Sequence, residues 1–219
     1  KKSNIIIKLI SKYKTSKGNN LLELACGTGR FLEYFEKKYT CYGSDLNKEM
    51  LKIAKKRLNN TKLFLDNMLD FNHNKKYYVI LILFSSIAYV KTKDNLLKTI
   101  KNCYNHLNEG GILIIDGFIS KKTYNPNRIV NWEFYEDNKN AVFRYMGNNL
   151  LKKDSFSFKA PYFILDKKKG TFKNYFDLDE LGLFDEKDYF SIFKKVKFKK
   201  YLFLESEGLK SRGIYLAVK

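Results

Sequence analysis

Two acidic side chains flank a pair of glycines near the start of the chain, in a spacing that suits the binding of a small ligand. Glu23 stands four positions before Gly27, Gly29 follows it, and Asp45 comes 18 residues after Gly27. Glycines let the backbone turn sharply and approach a ligand without an intervening Cβ. A carboxylate at the end of a strand can accept hydrogen bonds from both hydroxyls of a ribose. The spacing therefore predicts a site for a ligand that contains a ribose.

The segments on either side of the glycines predict how this site is built. Residues 21–25 are mostly apolar and favour a buried strand, and residues 31–35 continue at helical spacing. The free N–H groups at the start of such a helix would face the ligand. A nicotinamide or flavin site carries a third glycine where this chain has Leu32. The turn therefore favours a different cofactor.

Strand and helix patterns alternate through most of the chain, which predicts a doubly wound, mostly parallel α/β sheet of seven strands. The predicted strands are residues 21–24, 40–45, 62–66, 78–84, 112–117, 196–204 and 213–218. The predicted helices are residues 3–14, 31–35, 47–58, 93–107 and 185–193, with Asn47 as an N-cap and glycines 110 and 111 ending the fourth helix.

The pattern changes after the fifth strand. From about residue 132 to residue 176 the chain reads as five short strands separated by polar turns, which predicts an inserted antiparallel β-meander. These strands are residues 132–135, 141–145, 155–158, 162–165 and 171–176. We therefore divide the chain into a core of residues 1–130 and 177–219 and an inserted region of residues 131–176. As in related Rossmann-like sheets, the ligand is expected over the carboxyl ends of the parallel strands.

Composition narrows the class of protein. The 219 residues are 44% hydrophobic and 16% aromatic, as expected of a globular domain, and no apolar run approaches the ~20 residues that span a bilayer. Cys26, Cys41 and Cys103 lack the spacing of metal ligands, and His73 and His106 are isolated. We therefore expect no membrane segment, no metal and a reducing, cytoplasmic location. The chain starts with lysine rather than methionine, which is compatible with a longer native N-terminus.

The formal net charge of +19 raises the question of nucleic-acid binding. Nearly all of the excess is lysine, which is scattered through every segment, and the chain has only five arginines. Grooves that bind nucleic acid usually concentrate their charge and use the planar fork of arginine. The sequence therefore argues against nucleic acid as a partner.

The E-x-A-C-G-T-G turn and its following acid resemble the S-adenosylmethionine site of class I methyltransferases. The resemblance implies that the glycine turn holds the methionine portion, Asp45 holds the ribose, and the end of the third strand lies beside the adenine. Asp66-Asn67-Met68 leaves open which of its first two side chains reads the adenine amino group. The predicted cofactor-binding residues are Glu23, Ala25, Gly27, Gly29, Asp45, Leu46, Asn67, Met68, Phe84 and Ser85. Ordinary loop capping is the alternative role for Asn67 and Ser85.

The end of the fourth strand bears on the methyl acceptor. Enzymes that methylate amino groups of nucleic-acid bases carry an Asn/Asp-Pro-Pro-Tyr-like tetrapeptide there, which stacks a flipped base. This chain has F-S-S-I-A-Y instead, without proline. Together with the meander, the L-x-x-L-x-L-F segment at 178–184 and the S-R-G-I-Y segment at 211–215, it resembles the N,N-dimethyltransferases of nucleotide-linked aminodeoxysugars. The similarity covers residues 21–219.

That resemblance implies direct in-line transfer of a methyl group to the amine of a nucleotide-sugar, with no covalent intermediate. It implies that the meander forms a substrate floor and a homodimer surface, that Arg212 grips the diphosphate and that Tyr89 walls the transfer path. A surface arginine at a hairpin and a core aromatic are the alternative readings of these two residues. The other functions left open are an RNA or protein methyltransferase, a methyltransferase of another small metabolite, and a catalytically silent cofactor-binding subunit.

Overall fold

The computed structural model describes residues 2–125, 129–151, 154–206 and 209–219; within these ranges the side chains of residues 2, 129–132, 146–151, 158–159, 206 and 209–212 are not described. The helices are α1 (Lys2–Tyr13), α2 (Leu32–Phe35), α3 (Lys48–Arg57), α4 (Lys93–His106) and α5 (Glu186–Val196). The strands are β1 (Asn20–Leu24), β2 (Thr40–Asp45), β3 (Lys62–Leu65), β4 (Tyr77–Ile82), β5 (Leu107–Asp116), β6 (Ile129–Glu136), β7 (Asn140–Leu151), β8 (Ser155–Asp166), β9 (Thr171–Gly182), β10 (Lys200–Ser206) and β11 (Leu209–Val218). A 3₁₀ turn, Ser86–Val90, lies between β4 and α4.

Seven strands form one sheet in the order β10-β11-β5-β4-β1-β2-β3. The five strands from β5 to β3 are parallel to one another, and β11 runs antiparallel to both β5 and β10. Apolar side chains of α1 and α3 pack on one face of the sheet, and those of α4 and α5 pack on the other. The predicted α/β class with a mostly parallel seven-stranded sheet is thus confirmed. The parallel strands all end at one edge, which is where the ligand was expected.

A second sheet of four antiparallel strands, in the order β6-β7-β8-β9, follows β5. The sequence suggested five short strands, but two of them, around Ser155 and Tyr162, belong to the single strand β8. Pro161 lies inside β8, opposite Phe176 of β9, and its ring leaves the strand without an N–H donor at that position. This sheet spans more of the chain than the predicted meander.

The two faces of the second sheet differ in character, because neighbouring side chains on a strand point to opposite faces. The strand register places Phe134, Phe143 and Phe163 on one face. On the same grounds Arg144 and Tyr162 lie on the opposite, polar face, together with Asp179. Strand β9 packs against the 3₁₀ turn of the core. The second sheet therefore adjoins the carboxyl edge of the first.

Helix α4 ends within one residue of its prediction but without the predicted glycine cap. Glycines 110 and 111 suggested that α4 ends in a glycine cap, yet the helix ends at His106 and the chain becomes extended at Leu107. Gly110 then takes a φ of 69° within β5. Its backbone N–H donates to the carbonyl of Lys219, and its own carbonyl accepts from Thr15 and Ser16. The glycine thus serves a bend in a strand rather than a helix terminus.

In the described part of the chain, no helix is long and apolar enough to cross a membrane. A search of the same residues finds no group of three His, Cys, Asp or Glu side chains that could hold a metal ion. The three cysteines are buried and free.

Candidate cofactor and substrate site

A cavity of about 840 Å³ opens at the carboxyl ends of β1, β2 and β4. Its lining combines the glycine turn, the end of β2, the segment after β3 and the 3₁₀ turn after β4. The lining residues are Ser3, Glu23, Ala25, Cys26, Gly27, Thr28, Arg30, Phe31, Tyr34, Asp45, Leu46, Asn47, Met50, Asp66, Met68, Leu83, Phe84, Ser86 and Tyr89. Eight of the residues predicted from the sequence are therefore brought together here: Glu23, Ala25, Gly27, Asp45, Leu46, Met68, Phe84 and Tyr89.

The glycine turn leaves room for a ligand at one glycine and packs against a helix at the other. Ala25, Gly27 and Gly29 have φ values of 53°, 53° and 73°, in the region that favours glycine. A Cβ on Gly27 would meet no atom within 4 Å, so a side chain there would project into open space that a ligand can use. A Cβ on Gly29 would lie 2.6 Å from Cδ1 of Leu58. Gly29 therefore lies outside the lining and serves the packing of the turn.

Asp45 is held in place by backbone donors. Its Oδ2 accepts from the N–H of Gly27 at 2.7 Å, and its Oδ1 accepts from the N–H of Asn47 at 2.8 Å. Each carboxylate oxygen has a second lone pair. Both oxygens can therefore still accept hydrogen bonds from two hydroxyls, as recognition of a ribose requires.

Glu23 is a buried carboxyl group in the same cavity. Glu23 is 2% exposed, and its Oε2 has no hydrogen-bond partner among the residues that the structure describes. Burial raises the pKa of Glu23 well above its usual value, and the nearby charge of Asp45 raises it further. Both effects favour the protonated form of Glu23, which has a hydroxyl to donate and a carbonyl oxygen to accept.

The two polar residues of the segment after β3 have different surroundings. The side chain of Asp66 lines the cavity. Asn67 lies outside the lining, because its Oδ1 accepts from the N–H of Leu69 at 3.0 Å and so caps the turn after β3. Asp66 is thus the polar side chain of this segment that a ligand in the cavity can reach, and Asn67 has the capping role. Met68 is buried and contributes apolar lining.

The end of β4 is strained where it meets the cavity. Phe84 and Ser85 are consecutive non-glycine residues with positive φ, 55° and 61°. Phe84 lines the cavity and is 80% exposed. Ser85 is buried outside the lining, and its Oγ donates to the carbonyl of Gly117 at 3.0 Å. The next residue, Ser86, takes its place in the cavity wall.

Tyr89 connects the cavity to the polar face of the second sheet. Desolvation raises its pKa, and the charge of Asp179 raises it further, whereas Arg144 lowers it. The hydroxyl of Tyr89 is therefore neutral and faces charged groups of β7 and β9. Desolvation and the neighbouring Asp177 also raise the pKa of Asp179. Arg212 belongs to β11, but its side chain lies outside the described residues.

Several lining residues escaped the sequence reasoning. Arg30 and Tyr34 stand one turn of helix apart just after the glycines, a spacing that puts them on one face. Their position directly after the glycine turn could have predicted that they line the site. Met50 lies in the first turns of α3, after Asp45, and was similarly accessible. Ser3 comes from α1, and no local pattern links it to the site.

Comparisons with known proteins extend these observations. A family model described as a methyltransferase domain matches residues 21–111, which include every strand end at the cavity. A dTDP-3-amino-3,4,6-trideoxy-alpha-D-glucopyranose N,N-dimethyltransferase from Streptomyces venezuelae is 26% identical over 206 residues, which make up 94% of this chain and 85% of that relative. A dTDP-4-amino-2,3,4,6-tetradeoxy-D-glucose N,N-dimethyltransferase from Saccharopolyspora spinosa is 30% identical, over 51% of this chain and 45% of that protein.

Solved structures agree with this fold along almost the whole chain. The sugar N-methyltransferase KedS8 from a Streptoalloteichus species has a TM-score of 0.89 at 23% identity, covering 99% of this chain and 86% of that one. DesVI from Streptomyces venezuelae has a TM-score of 0.85 at 24% identity, covering 99% and 89%. The chain is accordingly an S-adenosylmethionine-dependent methyltransferase that resembles the dTDP-aminosugar N,N-dimethyltransferases.

Proposed function

We propose that this protein methylates the amine of a nucleotide-linked aminodeoxysugar, with S-adenosylmethionine as the methyl donor. The observation that carries the proposal is the extent of the similarity to the Streptomyces venezuelae sugar N,N-dimethyltransferase, which covers 94% of the chain. It therefore includes the second sheet as well as the cofactor-binding half. A shared cofactor domain alone would leave the acceptor undetermined.

The cavity fits the proposed cofactor. Gly27 leaves open space beside the turn, and Asp45 offers two oriented carboxylate oxygens for the ribose hydroxyls. Within the described part of the chain, the buried Oε2 of Glu23 has no hydrogen-bond partner, as expected of a group that a polar ligand satisfies. Leu46 and Met68 supply apolar surface that suits a planar base. When bound, the cofactor supplies a methyl group on a positively charged sulfur.

The chain has to align the acceptor amine and exclude water, because in-line transfer from a sulfonium needs no protein nucleophile. We assign the alignment to the wall formed by Phe84 and Tyr89 and to the polar face of the second sheet. An amine that arrives protonated must lose a proton before it attacks. Asp179 is our candidate acceptor for that proton, because it lies near Tyr89 and its raised pKa makes it a stronger base.

We propose that Arg212 holds the diphosphate of the substrate. A guanidinium grips phosphate oxygens in a planar, two-pronged fashion that lysine does not reproduce. A diphosphate is a part of the substrate that does not react, so Arg212→Lys should raise KM for the nucleotide-sugar and leave the affinity for S-adenosylhomocysteine unchanged. Equal KM values for the two proteins would refute this role.

The experiment that tests the function is a product analysis by mass spectrometry. The protein is incubated with S-adenosylmethionine and a panel of nucleotide-linked aminosugars, the matching free aminosugars, and RNA and protein acceptors. The expected result is a mass increase of one or two methyl groups on a nucleotide-linked amine. Transfer to RNA or protein, with none to any nucleotide-sugar, would overturn the proposal. A variant carrying Asp45→Ala controls for methylation by contaminating enzymes.

We also propose that the apolar face of the second sheet is a homodimer surface. This face carries Phe134, Phe143 and Phe172, which are 57%, 38% and 62% exposed, and Phe176 and Leu178, which are 66% and 64% exposed. Contiguous exposed apolar surface of this kind marks interaction sites. Light scattering should give a dimer mass for the wild type and a monomer mass for Phe172→Glu with Phe176→Glu. A monomeric wild type would contradict the assignment.

A further inference from the structure

A histidine outside the cavity wall contacts a carboxylate that lines the cavity. The side chain of His73 is 2% exposed, and its Nε2 lies 2.8 Å from Oδ2 of Asp66. Its other ring nitrogen, Nδ1, lies 2.6 Å from the hydroxyl of Tyr77, a fully buried residue. The imidazole thus links the cavity to a polar group in the core beneath β4.

The two hydrogen bonds that join Tyr77, His73 and Asp66 run in the same direction. A carboxylate oxygen only accepts, so Nε2 carries a proton and donates to Oδ2 of Asp66. In the neutral ring Nδ1 is then the acceptor, and it receives the proton of the Tyr77 hydroxyl. Every polar atom of His73 and the hydroxyl of Tyr77 are satisfied by this arrangement.

Aromatic neighbours fix the plane of the imidazole. The ring of Phe64 stacks on His73 with centroids 3.9 Å apart and planes inclined by 19°. Phe71 packs against the same imidazole at 5.2 Å. These contacts hold the Nε2–H donor of His73 in one position, so its hydrogen bond orients the Asp66 carboxylate. Metal sites use the same device, in which a hydrogen-bonded neighbour fixes the orientation of a ligating side chain.

Asp66 keeps one oxygen for a ligand. Its Oδ2 is taken by His73, whereas Oδ1 accepts no hydrogen bond from the residues that the structure describes. The residue lines the cavity beside the apolar surface of Met68. We propose that His73 is a positioning residue, which holds the Asp66 carboxylate so that its free oxygen accepts from the 6-amino group of the cofactor's adenine. The inference rests on the cofactor site proposed above.

The consequence is specificity for the base. A 6-oxo purine presents a carbonyl oxygen where adenine presents an amino group, so a fixed carboxylate oxygen would repel it. If His73 orients Asp66, its loss lets the carboxylate rotate and reduces the preference for adenine. A histidine that only filled the core would affect stability and would alter the affinity for both bases alike.

The test compares the dissociation constants of S-adenosylhomocysteine and S-inosylhomocysteine by calorimetry. We expect the wild type to prefer the adenine ligand by on the order of 10-fold or more, the effect of one hydrogen bond to a charged group. His73→Asn, whose amide reaches only the position of Nδ1, should reduce that preference several-fold. His73→Gln, whose amide reaches the position of Nε2, should retain most of it.

Two further variants complete the design. His106→Gln changes a neighbouring imidazole that bonds the carbonyl of Asn102 instead, and it should leave the preference unchanged. Tyr77→Phe removes the hydroxyl that bonds Nδ1 of His73 and so fixes its tautomer. This variant tests the same series of hydrogen bonds if His73→Asn fails to fold. In an Asp66→Asn background, His73→Asn should have no further effect on the preference.

The outcomes separate the inference from the function on which it rests. A wild type that binds neither ligand would refute the cofactor site itself. A wild type that binds both equally, or folded His73→Asn and Tyr77→Phe variants with an unchanged preference, would refute the role of His73 and leave the cofactor site standing.

Discussion

Among single residues, Asp45 is the best defined part of the cofactor site, because two backbone N–H groups orient its carboxylate. Asp45→Ala removes the proposed ribose contacts and should weaken binding of S-adenosylhomocysteine by roughly 1.5–3 kcal/mol, the range for hydrogen bonds to a charged group. Calorimetry gives the change. Asp70→Ala, an exposed carboxylate outside the cavity, is the matched control. Unchanged affinity in a folded Asp45→Ala variant would contradict the assignment.

Glu23 predicts a dependence of stability on pH. Its pKa is raised in the folded protein, so between the usual value of 4.5 and the folded pKa the native state binds a proton that the unfolded state has released. The free energy of unfolding therefore falls as pH rises through this window. Glu23→Gln has no such proton, so its stability relative to the wild type should increase with pH.

Urea unfolding of Glu23→Gln and wild type from pH ~5 to pH ~7 measures that difference, in which the other titrating groups cancel. Parallel stability curves for Glu23→Gln and wild type would mean that the buried carboxyl does not hold its proton.

Residue types and spacing were enough to predict Gly27 and Asp45, because a turn and a strand end are local in sequence. They were not enough to choose between Asp66 and Asn67. The choice depends on the hydrogen bond that the Asn67 side chain makes. Its Oδ1 accepts from the N–H of Leu69, in the turn after β3. Ser85 was predicted for the site but bonds Gly117, a partner 32 residues away. A hydrogen bond between residues so far apart in the chain cannot be predicted from the local sequence pattern.

At the scale of elements, α3 braces the glycine turn. Nη1 of Arg57, the last residue of the helix, donates to both the carbonyl and the hydroxyl of Thr28 at 2.9 Å. Thr28 lines the cavity, so this contact links the helix to the cofactor site. The helix begins as predicted, with the side chain of Asn47 accepting from the N–H groups of Glu49 and Met50.

Arg57→Lys should loosen the turn, because an ammonium on a flexible stem does not reproduce the two contacts of the guanidinium. Each lost hydrogen bond is worth about 0.5–1.5 kcal/mol, so we expect the affinity for S-adenosylhomocysteine to fall several-fold. Lys56→Ala, an exposed neighbour on the same helix, is the control. Equal affinities for Arg57→Lys and wild type would show that the turn holds its shape without this brace.

Element types were more predictable than element ends. The continuous apolar run of β4 and the cap of α3 are strong local signals, and both elements form where expected. The second sheet was harder to delimit, since the segments at 155–158 and 162–165 suggested two short strands where β8 is continuous. Glycines 110 and 111 suggested a helix cap, whereas Gly110 bends β5 against the loop at Thr15. In both cases long-range strand pairing overrode the local preference.

On the scale of the whole molecule, the second sheet separates two environments. Its polar face, with Arg144 and Asp179, adjoins Tyr89, while its apolar face is exposed. In the function that we propose, the core supplies the cofactor site, and the second sheet supplies the surface that selects the acceptor. Such a division lets one cofactor fold serve different acceptors.

The net charge of +19 affects the binding of every anion to the molecule as a whole. If the lysine excess is compositional, the protein should bind RNA weakly, with an affinity that falls steeply with salt and does not depend on sequence. The same positive field should attract an anionic nucleotide-sugar, so KM for that substrate should rise with ionic strength. Fluorescence anisotropy with labelled RNAs and salt-dependent kinetics measure the two effects. Tight, selective binding of one RNA at about 0.15 M salt would favour an RNA methyltransferase instead.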